Sequence, residues 1–147
     1  MGLADLQTVR VRHCNEARAV SVTFLSGFKI SYSGDCRPSK SFARIGQGST
    51  VLVHEATFDD ELKGDAIAKL HSTTSEAIQV GLAMGAKRVI LTHFSQRYAN
   101  LPVMDTVGGP QQLQDRSSPQ QAPAESMLAT LADDDDHPDD EGGHVDE

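Results

Sequence analysis

Charge is divided so unevenly along this chain of 147 residues that the folded domain is expected within residues 1–102. Those residues carry twelve Lys and Arg against nine Asp and Glu, a net of +3. Residues 103–147 carry a single base, Arg116, against twelve acids, a net of −11. This second segment is rich in Gln, Ser, Pro, Gly and Asp, lacks aromatic residues, and ends in the blocks Asp133–Asp136 and Asp139–Glu141. Such a composition buries too little apolar surface to offset the entropy of ordering it. It is expected to be a disordered, solvated acidic tail, with at most a helical turn or two at Ala124–Leu131. The whole-chain charge of −8 speaks against a nucleic-acid partner, but that objection belongs to the tail alone.

The first segment reads as an α/β layer. Residues 7–13 alternate polar and apolar and suit a strand, and 18–25 and 27–33 form two further runs that meet at Ser26-Gly27, a hairpin signal. The loop Ser33–Ser39 follows, with Pro38 suited to the first turn of a short helix through Ile45. Thr50–Val53 suits a buried strand, and Asp59–Leu70 has a helical composition. Thr73 and Glu76 have capping-box spacing for another helix, with Ile78, Leu82 and Met84 as its apolar stripe and Gly85 as its stop. Arg88–Leu91 supplies the last strand. Strands first, then alternating strand and helix, imply a sheet covered by helices. No run approaches the ~20 apolar residues that would span a bilayer, so no membrane role is expected. Two cysteines, Cys14 and Cys36, cannot make a disulfide framework, and no secretory signal opens the sequence; the expected setting is intracellular.

Chemistry gathers where these elements stop. His13 ends the first strand, Asp35 follows the third, Glu55 follows the fourth, His71 stands at a helix entrance, and His93 ends the last strand. Carboxyl ends of strands are where α/β sheets collect ligands, and His with carboxylates can hold borderline cations such as zinc. Each of these residues alone has a plainer explanation as a turn former or satisfied surface group; their grouping is what carries weight.

The ordered set SGDCRPS, LVHEATF, LHSTTSEA and ILTHFSQRY, over residues 33–98, closely resembles the carboxyl-terminal half of the tRNase Z family. The upstream VRVRHCNEARAVSVTF resembles the segment that precedes it in the long form. The resemblance covers about residues 8–102. It implies the carboxyl-terminal half of a metallo-β-lactamase-type αββα sandwich, present incompletely in residues 1–102, and an endoribonuclease that removes the 3′ trailer of precursor tRNA. It further implies two zinc ions, with His13 and His93 as terminal ligands to one ion each and Asp35 bridging them. By the same resemblance His71 is the general acid, Glu55 its partner, and Arg97 a contact to a substrate phosphate. The implied compartments are nucleus and mitochondrion.

The sequence departs from that family in one telling respect. The HxHxDH signature that supplies the remaining metal ligands does not occur in it. Each zinc would keep one terminal ligand plus the shared Asp35, fewer than the three or four protein ligands that zinc takes. Cys36 also stands where the family has Thr. The expectation is therefore a carboxyl-terminal fragment, inactive alone, whose partner is the missing amino-terminal half or a second subunit. The alternative is a non-catalytic module, derived from this fold, that binds RNA or a partner protein. A third reading, another phosphodiester substrate, fits the HEAT and HST motifs less well.

Overall fold

The structure, a computed structural model, describes residues 2–95 together with Leu128, Ala129 and Leu131. Its strands are β1 (Leu3–Arg10), β2 (Arg18–Phe24), β3 (Lys29–Tyr32), β4 (Val51–Glu55) and β5 (Val89–Thr92). The helices are α1 (Lys40–Ile45), α2 (Lys63–Ala68) and α3 (Thr74–Ala83), with a 3-10 turn at Asp60–Leu62 ahead of α2. The strands form one sheet in the order β1-β2-β3-β4-β5. β1, β2 and β3 run antiparallel, whereas β3, β4 and β5 are parallel, so the last three strands all point their carboxyl ends to one edge.

Local chemistry accounts for most of these elements. Gly27, at φ +80°, closes the β2–β3 turn in which its N–H donates to the Phe24 carbonyl and the Phe24 N–H donates to that of Phe28. Ser39 caps α1, accepting from the Phe42 N–H, and Thr73 with Glu76 forms a complete capping box on α3.

Three local expectations are corrected. The first strand spans Leu3–Arg10 rather than 7–13, because its ladder with β2 runs from Leu3↔Phe24 to Arg10↔Arg18 and then closes. His13 thus lies in the following loop, held close to the Asp35 loop where the Arg37 N–H donates to the Arg12 carbonyl. The helical stretch at Asp59–Leu70 is a 3-10 turn at Asp60–Leu62 followed by α2, and it ends at Ala68, ahead of Leu70 with its left-handed φ of +58°. The stripe on α3 is also different: Ala77, Val80, Gly81 and Ala83 are buried with Met84, whereas Leu82 is 47% exposed. Gly81 explains it, because a Cβ there would meet Val89 Cγ2 at 2.5 Å; the helix presses its small residues, not its large ones, onto the sheet.

Among the described residues the main core cluster joins Phe42 and Ala43 of α1, Val80 and Ala83 of α3, and Ala19 and Leu52 on one face of the sheet. Leu131 joins that core and Leu128 packs against it. Polar positions on the same face are satisfied internally, Ser31 bonding both Ser21 and Ser49. The alternate positions are apolar too: Val20, Tyr32, Val53 and Ile90 are successive cross-strand neighbours on the opposite face, and Tyr32 and Ile90 are about half exposed. One helix layer on one sheet, whose second face is apolar, is half of the αββα sandwich. Among the described residues no helix is long and apolar enough to cross a membrane.

Candidate active site

Glu55 is the hub. It ends β4, is 1% exposed, and accepts five hydrogen bonds. Oε1 takes the Cys36 N–H (3.0 Å), the Ser72 N–H (3.1 Å) and His71 Nδ1 (2.8 Å). Oε2 takes the Thr57 N–H (3.0 Å) and hydroxyl (2.8 Å). A set made only of donors suits a carboxylate and ties together the loops after β3, β4 and α2.

His71 follows Leu70, whose left-handed backbone aims the ring back at Glu55. Its carbonyl is held from the other side by Arg37 Nη1 at 2.6 Å. The same guanidinium grips Glu76 through two bonds of 2.7 Å, and Glu76 in turn accepts the Thr73 N–H as part of the cap on α3. Burial would push the Glu76 carboxyl up, but the Arg37 hydrogen bonds, the Thr73 N–H and the charges of Arg37 and Lys63 together hold it below the ordinary range.

His13, Asp35 and His93 meet beside this pair. His13 Nε2 lies 3.8 Å and His93 Nε2 3.5 Å from the same oxygen, Asp35 Oδ2. Both rings have their other nitrogen engaged: His13 Nδ1 lies 3.1 Å from the Leu70 carbonyl and His93 Nδ1 lies 2.8 Å from the Thr57 hydroxyl. The His71 ring stands between them, its centroid 4.6 Å from His13 and 5.4 Å from His93. His93 reaches this position through a left-handed backbone at φ +60° directly after β5, a conformation unusual outside glycine.

These donors suit a metal such as zinc. Two imidazole nitrogens and a carboxylate oxygen are its usual ligands, and the separations lie near the ~3.3 Å edge of a tetrahedron with bonds of about 2.0 Å. Each imidazole turns Nε2 toward the shared carboxylate while Nδ1 is held by a protein oxygen, the outer-shell pattern of metal-bound histidine. Two groups of donor atoms lie within 4.8 Å of one another, His13 with Asp35 and His71, and Glu55 with His71 and His93. His71 belongs to both, but its Nδ1 is committed to Glu55.

The structure thus brings together His13, Asp35, Glu55, His71 and His93; Arg97 lies outside the described residues. Sequence reasoning missed three contributors. Thr57 and Arg37 sit two residues beyond Glu55 and Asp35, inside the same motifs, and Glu76 was assigned only to its cap. A fourth group, His54, is fully buried next to Glu55 and donates from Nδ1 to the Glu55 carbonyl at 2.7 Å. Its Nε2 has no partner among the described residues, and burial lowers its pKa, so the ring is neutral.

Comparison with known proteins agrees with this architecture. The family described as "Beta-lactamase superfamily domain" matches residues 2–94. The chain is 48% identical over 101 residues to human zinc phosphodiesterase ELAC protein 2, a match covering 69% of this chain and 12% of that protein. It is 52% identical over 103 residues to ribonuclease Z 1 of Schizosaccharomyces pombe, covering 70% of this chain and 13% of that one. The crystal structure of a long-form RNase Z from yeast superposes with a TM-score of 0.67 at 44% identity, over 72% of this chain and 15% of that one. The chain therefore spans a small part, 12–13%, of the curated relatives it matches. With most of its described residues inside the match and its donors at the shared sheet edge, the chain belongs to the beta-lactamase superfamily, where it resembles long-form ribonuclease Z.

Proposed function

We propose that this chain contributes the carboxyl-terminal half of the active site of a tRNA 3′-processing endoribonuclease. The observation that carries the reading is the convergence of His13 Nε2 and His93 Nε2 on one Asp35 oxygen, directly beside the Glu55–His71 pair. The relative named ribonuclease Z 1 supports RNA as the substrate, and the tRNase Z-like motifs over residues 33–98 support precursor tRNA.

In this reading His13, Asp35 and His93 would hold zinc, Asp35 being within reach of both histidines. Bound zinc supplies Lewis-acid stabilisation of the phosphoryl oxygens and an activated water as nucleophile. The chain's own residues handle the proton. Glu55 holds the Nδ1 edge of His71 at 2.8 Å and fixes the ring's orientation, which leaves Nε2 as the edge that protonates the departing oxygen. Arg37 fixes the backbone of that acid, and Arg97 contacts a substrate phosphate. Three metal donors are too few for two ions, so the remaining ligands come from another polypeptide segment, which also covers the apolar sheet face around Tyr32 and Ile90.

The test is complementation. This chain, the amino-terminal half of a long-form relative, and the two combined are each given zinc and a precursor tRNA bearing a 3′ trailer. Cleavage that leaves a tRNA 3′-hydroxyl is expected only from the combination. Cleavage by the chain alone would overturn the half-site reading, and a combination that assembles and binds zinc without cutting would overturn the substrate.

A further inference from the structure

Among the described residues, the Thr57 hydroxyl is the group that touches both the proton-transfer pair and a metal-side histidine. Oγ1 lies 2.8 Å from Glu55 Oε2, 2.8 Å from His93 Nδ1 and 3.1 Å from His71 Nδ1. The side chain has little freedom to do anything else. Thr57 is 8% exposed, its N–H donates to Glu55 Oε2, and its carbonyl accepts from the Ser95 N–H.

A hydroxyl has one proton to give and two lone pairs that accept. Glu55 Oε2 is the strongest acceptor within reach, and donation to a carboxylate is charge-assisted, so the hydroxyl proton goes there. Toward His93 the oxygen can then only accept, so Nδ1 must carry the ring proton. The lone pair of His93 is thereby left on Nε2, the atom that faces Asp35. A neutral histidine side chain in water prefers the opposite tautomer, with the proton on Nε2, which would leave no lone pair on the atom that faces Asp35. We infer that Thr57 is a positioning residue: it uses the buried charge of Glu55 to set the tautomer of His93, so that one carboxylate organises both the acid His71 and a metal ligand. The inference rests on the proposal that His93 binds metal, but its geometric half, the tautomer, does not.

His13 provides an internal control. Its Nδ1 faces the Leu70 carbonyl, which imposes the same tautomer without Thr57. The test uses the full chain labelled with nitrogen-15, free of metal, at a pH where the imidazoles are neutral; long-range proton–nitrogen correlation spectra report the tautomer of each ring. In the unsubstituted chain His13 and His93 should both carry the proton on Nδ1. Thr57→Val should move His93 to a majority of the Nε2–H form and leave His13 unchanged, and Thr57→Ser should restore His93. Zinc competition against a chromophoric chelator should show Thr57→Val weakening binding roughly 10–100-fold, with Thr57→Ser close to the unsubstituted chain.

An Nε2–H tautomer of His93 in the unsubstituted chain, a measurement that needs no variant, overturns the inference. So does a His93 tautomer that ignores Thr57→Val. If the tautomers respond as expected while the unsubstituted chain binds no zinc alone or with the complementing half, the positioning role stands and the metal reading of His93 fails.

Discussion

Arg37 holds Glu76 through two parallel hydrogen bonds of 2.7 Å and, with the same guanidinium, holds the His71 carbonyl at 2.6 Å. The loop that carries Asp35 is thus fastened to the first turn of α3 and to the residue proposed as general acid. The Arg37 and Glu76 side chains are only 5% and 10% exposed, so neither charge has water to fall back on. Removing one partner leaves the other desolvated. Arg37→Ala is expected to lower unfolding free energy by about 3–5 kcal/mol in urea titration. Arg37→Lys should recover only part of it, since an ammonium cannot make the two-pronged bond. A loss below about 1 kcal/mol would mean the pair is a surface-like contact.

That clamp also marks where sequence reading ran out. Glu76 was legible as a capping residue because Thr73 lies three positions before it, a local pattern. Its bond to Arg37 spans 39 residues and leaves no periodicity to detect. The same division holds elsewhere. Glu55, Asp35 and His93 could be placed from sequence because each follows a short apolar run, and β3, β4 and β5 are parallel, so their ends share an edge. His13 could be singled out but not placed, because a loop contact between Arg12 and Arg37 sets its position rather than the strand. The buried side of α3 is not legible from hydrophobicity, which favours Leu82, whereas the close approach of Val89 favours Gly81.

Stability should fall with acid in two stages. His54 is buried neutral with a pKa below its ordinary 6.5, because desolvation disfavours the imidazolium. The unfolded chain therefore binds a proton that the folded chain refuses, and stability present above pH 6.5 is lost as pH falls toward the folded value. Glu76 is depressed below 4.5, so its contribution is present above that pH and disappears below it. Urea midpoints measured from pH 8 to pH 3 should decline through both windows. His54→Asn should be less stable throughout but flatter near pH 6; an unchanged slope there would exclude His54 as a source of acid sensitivity.

Metal binding and proton transfer should separate by mutation. Asp35 Oδ2 is approached by both His13 and His93, whereas His71 spends its Nδ1 on Glu55. Asp35→Asn and His93→Ala are expected to reduce zinc affinity strongly, with little trailer cleavage by the complemented enzyme. His71→Asn should keep most zinc affinity yet lower kcat by about 10²–10⁴-fold, the range of a lost general acid. Loss of zinc in His71→Asn would instead make His71 a ligand, in line with the two donor groups it shares.

Leu131 lies far along the sequence from the core it joins, yet it is 6% exposed and clustered with Val11, Cys36 and Phe42. Burying a leucine side chain fully contributes roughly 1.5–3 kcal/mol, and removing it also leaves a cavity. Leu131→Ala is therefore expected to lower unfolding free energy by about 2–5 kcal/mol. Leu128, partly buried against the same cluster, should cost less when truncated. A chain ending at Pro102 should lose at least as much as Leu131→Ala, because it loses the same anchor. Equal unfolding midpoints for the full and shortened chains would show that residues 1–102 complete their core without it, with the acidic segment attached only by covalent linkage.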